Sequence, residues 1–419
     1  MKEFVVIDLG ASSGRVLVGS APDRLREAAR FPVAAKTASD GRLRWDLAAL
    51  ASSVRAALTR LAEQLEEPPC AVSCDSWSQD LVFLDGGGNR LADALCYRDP
   101  LLAEGPALLK AVGIELPGKI ATASQLAVFR KHAPRMLAEA RYALHIADWV
   151  DFLLCGVPRA NFSMLSAGRL LDAQGEIDRA LFAKLDIASD LFPPMAAVEV
   201  IGRVSDTWPA LLRGVPVVSG VSHDSAAAFL ALDPAPGEAA AVLGTWLMAA
   251  TAAPAGRGTV GITPGHAVVS GGAPGMWAQN QCIEAWRKEG GFPGFDAFAR
   301  EIAASHFDGG YRAVWSDKAL TPESIAEDFR RRGEAPPVTR GDFGRALNRG
   351  VAEELKTLLE KLGKETLRPI RSLVLGGGGA ASPTLVETIA EATGLPCRIG
   401  ALEATGAGNL IAQRKALRG

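Results

Sequence analysis

The sequence has little of what marks several large classes of protein. Only six cysteines occur among its 419 residues, and Cys70 and Cys74 lie one residue too far apart for a CxxC pair. Because no second pair completes a zinc site, we expect reduced core thiols in a cytoplasmic protein. Neither sign of charge prevails, since 45 Lys and Arg against 47 Asp and Glu leave a net charge of −2. We therefore expect no nucleic-acid partner and no membrane partner.

A long hydrophobic segment is also missing. The N-terminal Met1-Lys2-Glu3-Phe4 leads directly into a strand-like run, so we expect no signal peptide. The uncharged stretch Ala239 to Gly256 contains turn residues and fits buried strands better than a membrane span. Hydrophobic residues make up 48% of the chain, which is too many for a disordered protein.

The length predicts two domains, because domains usually contain ~100–200 residues. The run Asp233-Pro234-Ala235-Pro236-Gly237 is the best linker, so we place domains at 1–232 and 233–419. Each half opens with a strand, a small polar turn and a second strand, at 4–19 and 239–250, which suggests a duplication. Strands and helices intermix in both halves, which predicts the α/β class.

Asp8 ends the first predicted strand and is followed by the small residues of a tight turn. A carboxylate in that place suits a hydrated Mg²⁺ ion. The backbone N–H groups of the turn, with Ser12 and Ser13, can receive phosphate oxygens, and Arg15 can hold a transferring phosphoryl group. The alternative is a hairpin whose Asp caps its own turn. No Gly-Lys-Ser/Thr follows, so the turn is not a P-loop.

The segment Ser222-His223-Asp224-Ser225 follows an apolar strand and begins a helix. Ligand sites of open sheets form at such strand ends. Asp224 can accept the proton of an attacking hydroxyl, and His223 can hydrogen-bond a polyol. The alternative is a helix N-cap, for which Asp and Ser are preferred.

A tryptophan lies among polar residues in Asp75-Ser76-Trp77-Ser78-Gln79-Asp80. This composition suits a sugar, whose apolar face stacks on an indole while polar groups bind its hydroxyls. The alternative is a half-buried Trp in a loop. Glycine clusters at 376–379 and 406–408 allow the close approach of a flat ligand such as adenine, or are simply turns.

Taken in order, these segments resemble the FGGY family of carbohydrate kinases, within the actin-like ATPase superfamily, with motifs nearest those of its L-rhamnulose kinase branch. The segments that carry the resemblance are Asp8–Arg15, Cys74–Asp80, Cys96–Asp99, Ser222–Ala226, Gly244–Trp246, Gly376–Gly378 and Glu403–Thr405.

The resemblance implies two actin-like (ribonuclease H-like) domains with a cleft between them, a sugar against the first and ATP against the second. It implies Asp224 as the general base, with Asp8 and Asp224 as positions for Mg²⁺. Asn280 joins the substrate candidates on a weaker pattern. The expected substrate contacts are Asp75, Trp77, Gln79, Arg98, His223 and Asn280. The expected nucleotide contacts are Gly10, Ser12, Ser13, Arg15, Gly244, Thr245, Gly377, Gly378 and Ala380.

Two departures from the family pattern lie on the nucleotide side. Val242-Leu243 stands where small polar residues usually precede Gly244, and Ala380-Ala381 replaces a polar pair. They leave open a catalytically weak or inactive sugar- or nucleotide-binding sensor. A hydrolytic ATPase in a protein assembly is a third hypothesis, disfavoured by the sugar-like loop, and no Gly-x-Gly-x-x-Gly supports a dehydrogenase.

The expected function is ATP- and Mg²⁺-dependent phosphorylation of a ketose or related polyol, with L-rhamnulose as the leading candidate. The sequence leaves open which sugar and which hydroxyl react, which nucleotide is preferred, and whether the chain forms a homodimer.

Overall fold

The fold is described from a computed structural model, for residues 2–116, 121–254, 258–314 and 320–418. Ala255 and Gly256, which end the uncharged stretch noted above, lie outside these ranges. The strands are β1 Phe4–Leu9, β2 Ser13–Gly19, β3 Leu25–Pro32, β4 Ala35–Thr37, β5 Leu43–Trp45, β6 Val72–Ser76, β7 Leu81–Leu84, β8 Tyr142–His145, β9 Ala160–Asn161, β10 Met195–Ala196, β11 Glu199–Arg203, β12 Pro216–Ser219, β13 Glu238–Leu243, β14 Trp246–Ala252, β15 Val260–Thr263, β16 His266–Pro274, β17 Ser372–Gly376 and β18 Cys397–Ile399.

Helices separate many of these strands, as expected for the α/β class. The α-helices are α1 Leu47–Ala62, α2 Gly105–Ala111, α3 Thr122–His132, α4 Pro134–Glu139, α5 Ile146–Cys155, α6 Phe162–Ala167, α7 Arg179–Leu185, α8 Asp224–Leu232, α9 Trp277–Lys288, α10 Phe295–Ala304, α11 Pro322–Arg331, α12 Arg340–Thr366, α13 Pro383–Thr393 and α14 Ala404–Ala416. Short 3₁₀ helices cover Pro100–Glu104, Ser189–Leu191, Ala210–Leu212 and Gly378–Ala381.

The chain divides into two compact units. The first contains Met1–Ala231, Thr259–Ala267 and Thr405–Gly419, and the second contains Leu232–Gly258 and Val268–Ala404. Strand β15 and helix α14 thus pack in the first unit, although both follow the predicted boundary in sequence. The division at 1–232 and 233–419 stays a prediction about which half binds the sugar and which the nucleotide.

The first unit is built on a sheet with the strand order β11-β12-β6-β1-β2-β3. Strand β1 pairs antiparallel with β2 and parallel with β6, and β12 is parallel to β6. All six residues of β1 are buried, which explains why this strand is one apolar run broken only by Asp8. The core on one side of the sheet includes Trp45, Val54 and Trp149.

The second unit repeats this arrangement with the strands β16, β14, β13, β17 and β18 as neighbours in that order. Strand β13 pairs antiparallel with β14 and parallel with β17. Its core is filled by Leu243, Leu247, Leu355 and Leu375. The hairpins that the sequence predicts at the start of each half are therefore present in both units.

Local sequence signals account for the ends of the main helices. Asp46 caps α1 by accepting a hydrogen bond from the Ala49 N–H. Thr339 and Asp342 form a capping box at the start of α12, a 27-residue helix. That helix carries many charges, and among the residues that the structure describes no helix is long and apolar enough to cross a bilayer.

Candidate active site

The β1–β2 hairpin presents an ion pair at its open end. Asp8 is 7% exposed, and it lies opposite Arg15 in the antiparallel register. Arg15 Nη2 donates a hydrogen bond to Asp8 Oδ2. The turn between the strands is tight, because the Gly10 N–H donates to the Ser13 carbonyl over 2.9 Å. Ser12 is exposed in this turn, so a ligand can approach it.

A second acid lies directly beside the first. Asp75 on β6 is the parallel neighbour of Asp8 on β1 and is fully buried. Its Oδ2 accepts a 2.8 Å hydrogen bond from Asn409 Nδ2, while Oδ1 has no donor among the described residues. Burial first, and then the charges of Asp8 and Asp224, raise the pKa of Asp75 well above its usual value. Asp75 therefore faces other acids, and a direct contact with a sugar stays a prediction.

The third acid begins helix α8. About a third of the Asp224 side chain is exposed (34%), and its Oδ1 accepts hydrogen bonds from Ser225 N at 2.5 Å and Ser225 Oγ at 3.1 Å. Burial raises the pKa of Asp224 to about 6; the bonds from Ser225 oppose that shift, and the charge of Asp8 adds to it. Asp224 is thus an ionised acceptor at neutral pH with a pKa unusually close to it.

His223 accompanies this carboxylate. Its Nε2 lies 3.5 Å from Asp224 Oδ1. Burial, with a further contribution from His145, lowers the pKa of His223 to about 4, so the imidazole is neutral at pH 7. A neutral imidazole can donate to a substrate or accept from one, without competing with Asp224 for a proton.

The predicted sugar loop lies next to the loop of Asp224. The Ser76 N–H donates to the Ser222 carbonyl over 2.9 Å, and Ser76 bridges to His223 in parallel register. Gln79 adopts a left-handed backbone conformation (φ 84°), and its carbonyl accepts a hydrogen bond from Thr122 Oγ1. The sequence places these two loops far apart, and the sheet brings them together.

A buried carboxylate organises the aromatic residues of that loop. Asp80 accepts hydrogen bonds from Trp45 Nε1 at 2.5 Å, Trp77 Nε1 at 2.9 Å and Gln125 Nε2 at 2.7 Å. Burial raises the pKa of Asp80 to about 6 against the lowering effect of those bonds. The ring centroids of Trp45 and Trp77 are 4.3 Å apart, and Trp77 is only 7% exposed. Trp77 is thus packed and fixed, with little area left for stacking on a sugar.

Arg98 lies on the exposed side of this cluster. Its guanidinium is 5.4 Å from the ring centre of Trp45 and 5.5 Å from that of Tyr97. The structure therefore brings the exposed Arg98 to the same aromatic group as Trp77.

In the second unit, backbone hydrogen bonds join the turn after β13 to the residues that follow β16. The Gly244 carbonyl accepts from Met276 N at 2.8 Å, and the Thr245 carbonyl accepts from Gly275 N at 3.0 Å. Thr245 itself is exposed. Leu243 is 1% exposed and belongs to the core, so its side chain fills the interior rather than replacing a phosphate contact.

The glycine-rich segment after β17 packs against this turn. Gly377 has a φ of 81°, and a Cβ there would lie 3.1 Å from the Leu243 backbone. Gly378 is exposed with open space around it, whereas Ala380 is buried and its N–H donates to the Gly377 carbonyl over 3.0 Å, so a nucleotide contact of Ala380 stays a prediction. Asn280 is exposed on α9. Among the described residues no side-chain contact assigns Asn280 a role, so it stays a prediction.

Several residues of this site are absent from the sequence-based prediction. Trp45 and Gln125 carry no local signal, because their role depends on reaching Asp80 from distant segments. Asp80 itself ends the polar run 75–80, and a carboxylate so close to Trp77 is the one local signal that could have indicated this cluster. Asn409 follows a glycine cluster that we associated with adenine, and its contacts lie in the first unit.

The carboxylates also bear on the expected magnesium ion. Within the described residues, no group of three His, Cys, Asp or Glu side chains could hold a metal ion. Mg²⁺ is usually held by one or two carboxylates together with waters and substrate phosphates, rather than by a protein cage. Asp8 and Asp224, which interact electrostatically and offer hard oxygen ligands, fit that pattern.

Comparison with known families decides the class of protein. Residues 4–231 match the N-terminal domain of the FGGY family of carbohydrate kinases, and residues 239–417 match its C-terminal domain. The chain belongs to the FGGY family. The resemblance that the motifs indicate is confirmed, and the protein is a carbohydrate kinase of a family that uses ATP.

Curated relatives of this FGGY kinase include rhamnulokinases. The protein from Bacteroides thetaiotaomicron is 26% identical, over 98% of this chain and 90% of its own length. The one from Yersinia pestis (strain Pestoides F) is 27% identical, over 98% of this chain and 89% of its own length.

Solved structures confirm the fold at much lower identity. Xylulose kinase from Lactobacillus acidophilus matches with a TM-score of 0.77 at 14% identity, covering 100% of this chain and 90% of that one. Glycerol kinase from Plasmodium falciparum with ADP matches with a TM-score of 0.74 at 12% identity, covering 100% and 90%. The α/β class and the actin-like two-domain fold predicted from the sequence are therefore confirmed.

Proposed function

We propose that this FGGY kinase transfers the γ-phosphoryl group of ATP to a hydroxyl of a ketose, with Asp224 as the general base. The observation that carries the proposal is Asp224 itself. It is the first residue of the helix that follows β12, it is partly exposed, and its pKa of about 6 suits proton transfer near neutral pH.

The proposed step conserves atoms and charge. The substrate hydroxyl oxygen attacks the γ-phosphorus, the bond from that phosphorus to the β,γ-bridging oxygen breaks, and ADP leaves. Asp224 takes the hydroxyl proton, because an ionised carboxylate with a raised pKa is a stronger base than an ordinary one. His223 is neutral and adjacent, so we propose that it orients the sugar hydroxyl by a hydrogen bond.

Phosphate binding is proposed for residues that each unit offers separately. In the first unit these are the turn residues Gly10, Ser12 and Ser13 with Arg15, and in the second Gly244, Thr245, Gly377, Gly378 and Ala380. Asp8 and Asp224 would hold Mg²⁺, which when bound neutralises phosphate charge. We assign the nucleotide to residues 233–419 and the sugar to residues 1–232.

For the sugar, we propose L-rhamnulose as the first candidate, because curated relatives over nearly the whole chain are named rhamnulokinase. Arg98 is exposed and His223 lies beside Asp224, so both are proposed to donate to the sugar, while Asp75 and Trp77 are buried and would act mainly through their neighbours. Gln79 and Asn280 remain proposed contacts. A cytoplasmic location and a homodimer are further proposals, testable by cell fractionation and by light scattering.

The test is ADP release from ATP and Mg²⁺ with L-rhamnulose, L-fuculose, xylulose, other ketoses, glycerol and further polyols. We expect a sugar-dependent rate that is highest for one ketose and is abolished by chelation of the metal. Mass spectrometry of the product would identify the phosphorylated hydroxyl. Silence across the panel from protein with a cooperative melting transition would contradict the proposal and favour a sensor that binds without turnover.

A further inference from the structure

The segment just before the proposed base, Asp224, forms neither a helix nor a strand. Strand β12 ends at Ser219 and helix α8 begins at Asp224, and the residues between them, Gly220–His223, are all buried. On one side, the Gly220 carbonyl accepts from Asn161 Nδ2 at 2.9 Å. A buried irregular segment depends on such bonds, since its polar backbone groups need partners.

On the other side this segment is bound by Asn409 of helix α14. The Asn409 side chain is fully buried and makes three hydrogen bonds. Its Oδ1 accepts from Val221 N at 3.1 Å, and its Nδ2 donates to the Val221 carbonyl at 3.2 Å. The same Nδ2 donates to Asp75 Oδ2 at 2.8 Å. The Asn409 amide thus forms two hydrogen bonds with the backbone of Val221, as a neighbouring strand would. It also forms a hydrogen bond with Asp75.

Close packing surrounds these bonds. A Cβ at Gly220 would lie 2.4 Å from Asn409 Oδ1, so a larger residue there would displace the amide. A Cβ at Gly408 would lie 1.9 Å from the Ala227 carbonyl of α8, so α14 meets the backbone of the helix that Asp224 begins. Both glycines permit an approach that a side chain would prevent.

We infer that Asn409 is a positioning residue for phosphoryl transfer: its amide fixes the segment before Asp224 and holds Asp75 in a defined orientation beside it. This inference rests on the proposed role of Asp224 as the base. Asparagine is suited to the task because it offers two donors and an acceptor on a short side chain. Aspartate has no donor when ionised, and leucine has neither donor nor acceptor.

The same helix supplies a matched control. Gln413 lies one turn after Asn409 and is also fully buried. Its Nε2 donates to the Val5 carbonyl and to Ser73 Oγ, both at 2.8 Å. These partners belong to β1 and β6 before the strand ends, not to the segment of Asp224. Gln413 therefore shares the burial and helix of Asn409 without its contacts to the site.

The experiment compares Asn409→Leu with Gln413→Leu by melting temperature, kcat and KM. We expect both variants to melt earlier, since each leaves buried polar groups unpaired. We expect kcat to fall roughly tenfold or more only in Asn409→Leu, because small displacements of a catalytic group are costly. The Gln413→Leu kcat should stay within about threefold of the parent. Equal losses of kcat in both variants, or none in Asn409→Leu, would overturn the inference.

A second variant separates positioning from loss of folding. Asn409→Asp puts a carboxylate beside Asp75, and the added negative charge favours protonation of the neighbouring acids. The acid limb of kcat/KM should then move to higher pH, an effect that lower stability alone does not produce. An unmoved limb in folded Asn409→Asp would count against the inference, and this variant also decides the matter if Asn409→Leu does not fold.

The Asp224→Asn variant, measured in the same assay, distinguishes two failures. If Asp224→Asn is inactive while Asn409→Leu behaves like Gln413→Leu, the base is supported and the positioning role is wrong. If Asp224→Asn keeps the parent kcat, the proposed function fails first, and the inference about Asn409 fails with it.

Discussion

In the first sheet the strands β3, β2, β1, β6 and β12 lie side by side, and in the second sheet β16, β14, β13, β17 and β18 follow the same order. The pairing directions also match, with an antiparallel hairpin followed by parallel neighbours in each. The two sheets can therefore be compared residue by residue.

The comparison shows different side chains on the same backbone plan. In β1, Asp8 lies opposite Arg15 in the hairpin and beside Asp75 in the parallel pair. The equivalent position in β13 is Val242, which lies opposite Met248 and beside Gly376. Three charged residues of the first sheet thus correspond to apolar residues or glycine in the second.

A fourth difference follows the fifth strand of each sheet. Five residues after the end of β12 the chain reaches Asp224, the first residue of α8. Five residues after the end of β18 it reaches Ala404, the first residue of α14. Both connections begin with glycine, at Gly220 and Gly400.

The difference teaches that this arrangement of strands does not require acids at these places. Burying carboxylates next to one another opposes folding, because burial and like charges both disfavour their ionised form. The stability of the sheet therefore does not explain these acids, whereas the proposed phosphoryl transfer does. The predictions below test that conclusion by making the first sheet more like the second.

The largest expected effect is that of Asp224→Asn, which removes the proposed base and keeps its shape. We expect kcat to fall by ~10² or more, since general-base catalysis contributes about that factor. Sugar binding, measured by calorimetry, should persist. The exposed Asp206 supplies a control, and Asp206→Asn should keep the parent rate. A near-normal rate in Asp224→Asn would show that another group takes the proton.

The next largest effect is expected on the pH dependence of kcat/KM. Asp224 must be ionised to act, so kcat/KM should fall roughly tenfold per pH unit below about pH 6. His223 does not explain such a limb, because its pKa is about 4.

Asp8→Asn removes a charge that raises the pKa of Asp224, so residual activity at saturating Mg²⁺ should show a limb at lower pH. A limb at the same pH in both proteins would disprove this coupling.

The smallest effect is expected for Asp75→Asn and concerns stability. The pKa of Asp75 is raised in the folded protein, so the native state keeps a proton that the unfolded chain releases near pH 4. The free energy of unfolding therefore contains a term that falls as pH rises above that value. Asparagine removes this term, so the melting temperature of Asp75→Asn relative to the parent should rise by a few degrees between about pH 5 and 8. A constant difference would mean that Asp75 is ionised in both states.

Much of the fold could be predicted from the sequence. The strands of both opening hairpins were indicated by apolar runs and by the small turn residues between them. These features depend on neighbours within a few residues, which is why a single sequence contains them. The motifs around Asp8 and Asp224 likewise indicated the family.

Other features depended on contacts between distant segments. The role of Asp80 requires Trp45 and Gln125 to reach one carboxylate from different elements. The burial of Asp75 follows from its place between β1 and α14, and nothing in its own segment indicates that its side chain faces inward.

The sequence by itself determined the local elements, the duplicated hairpins and the FGGY family, and it supplied the acids proposed for catalysis, because each depends on short runs of residues. Only the tertiary structure decided that the last helix joins the first unit and that Asn409 links Asp75 to the segment before Asp224. The reason is physical: a hydrogen bond between residues more than 180 positions apart depends on how sheets and helices pack, and packing leaves no periodic trace in the chain.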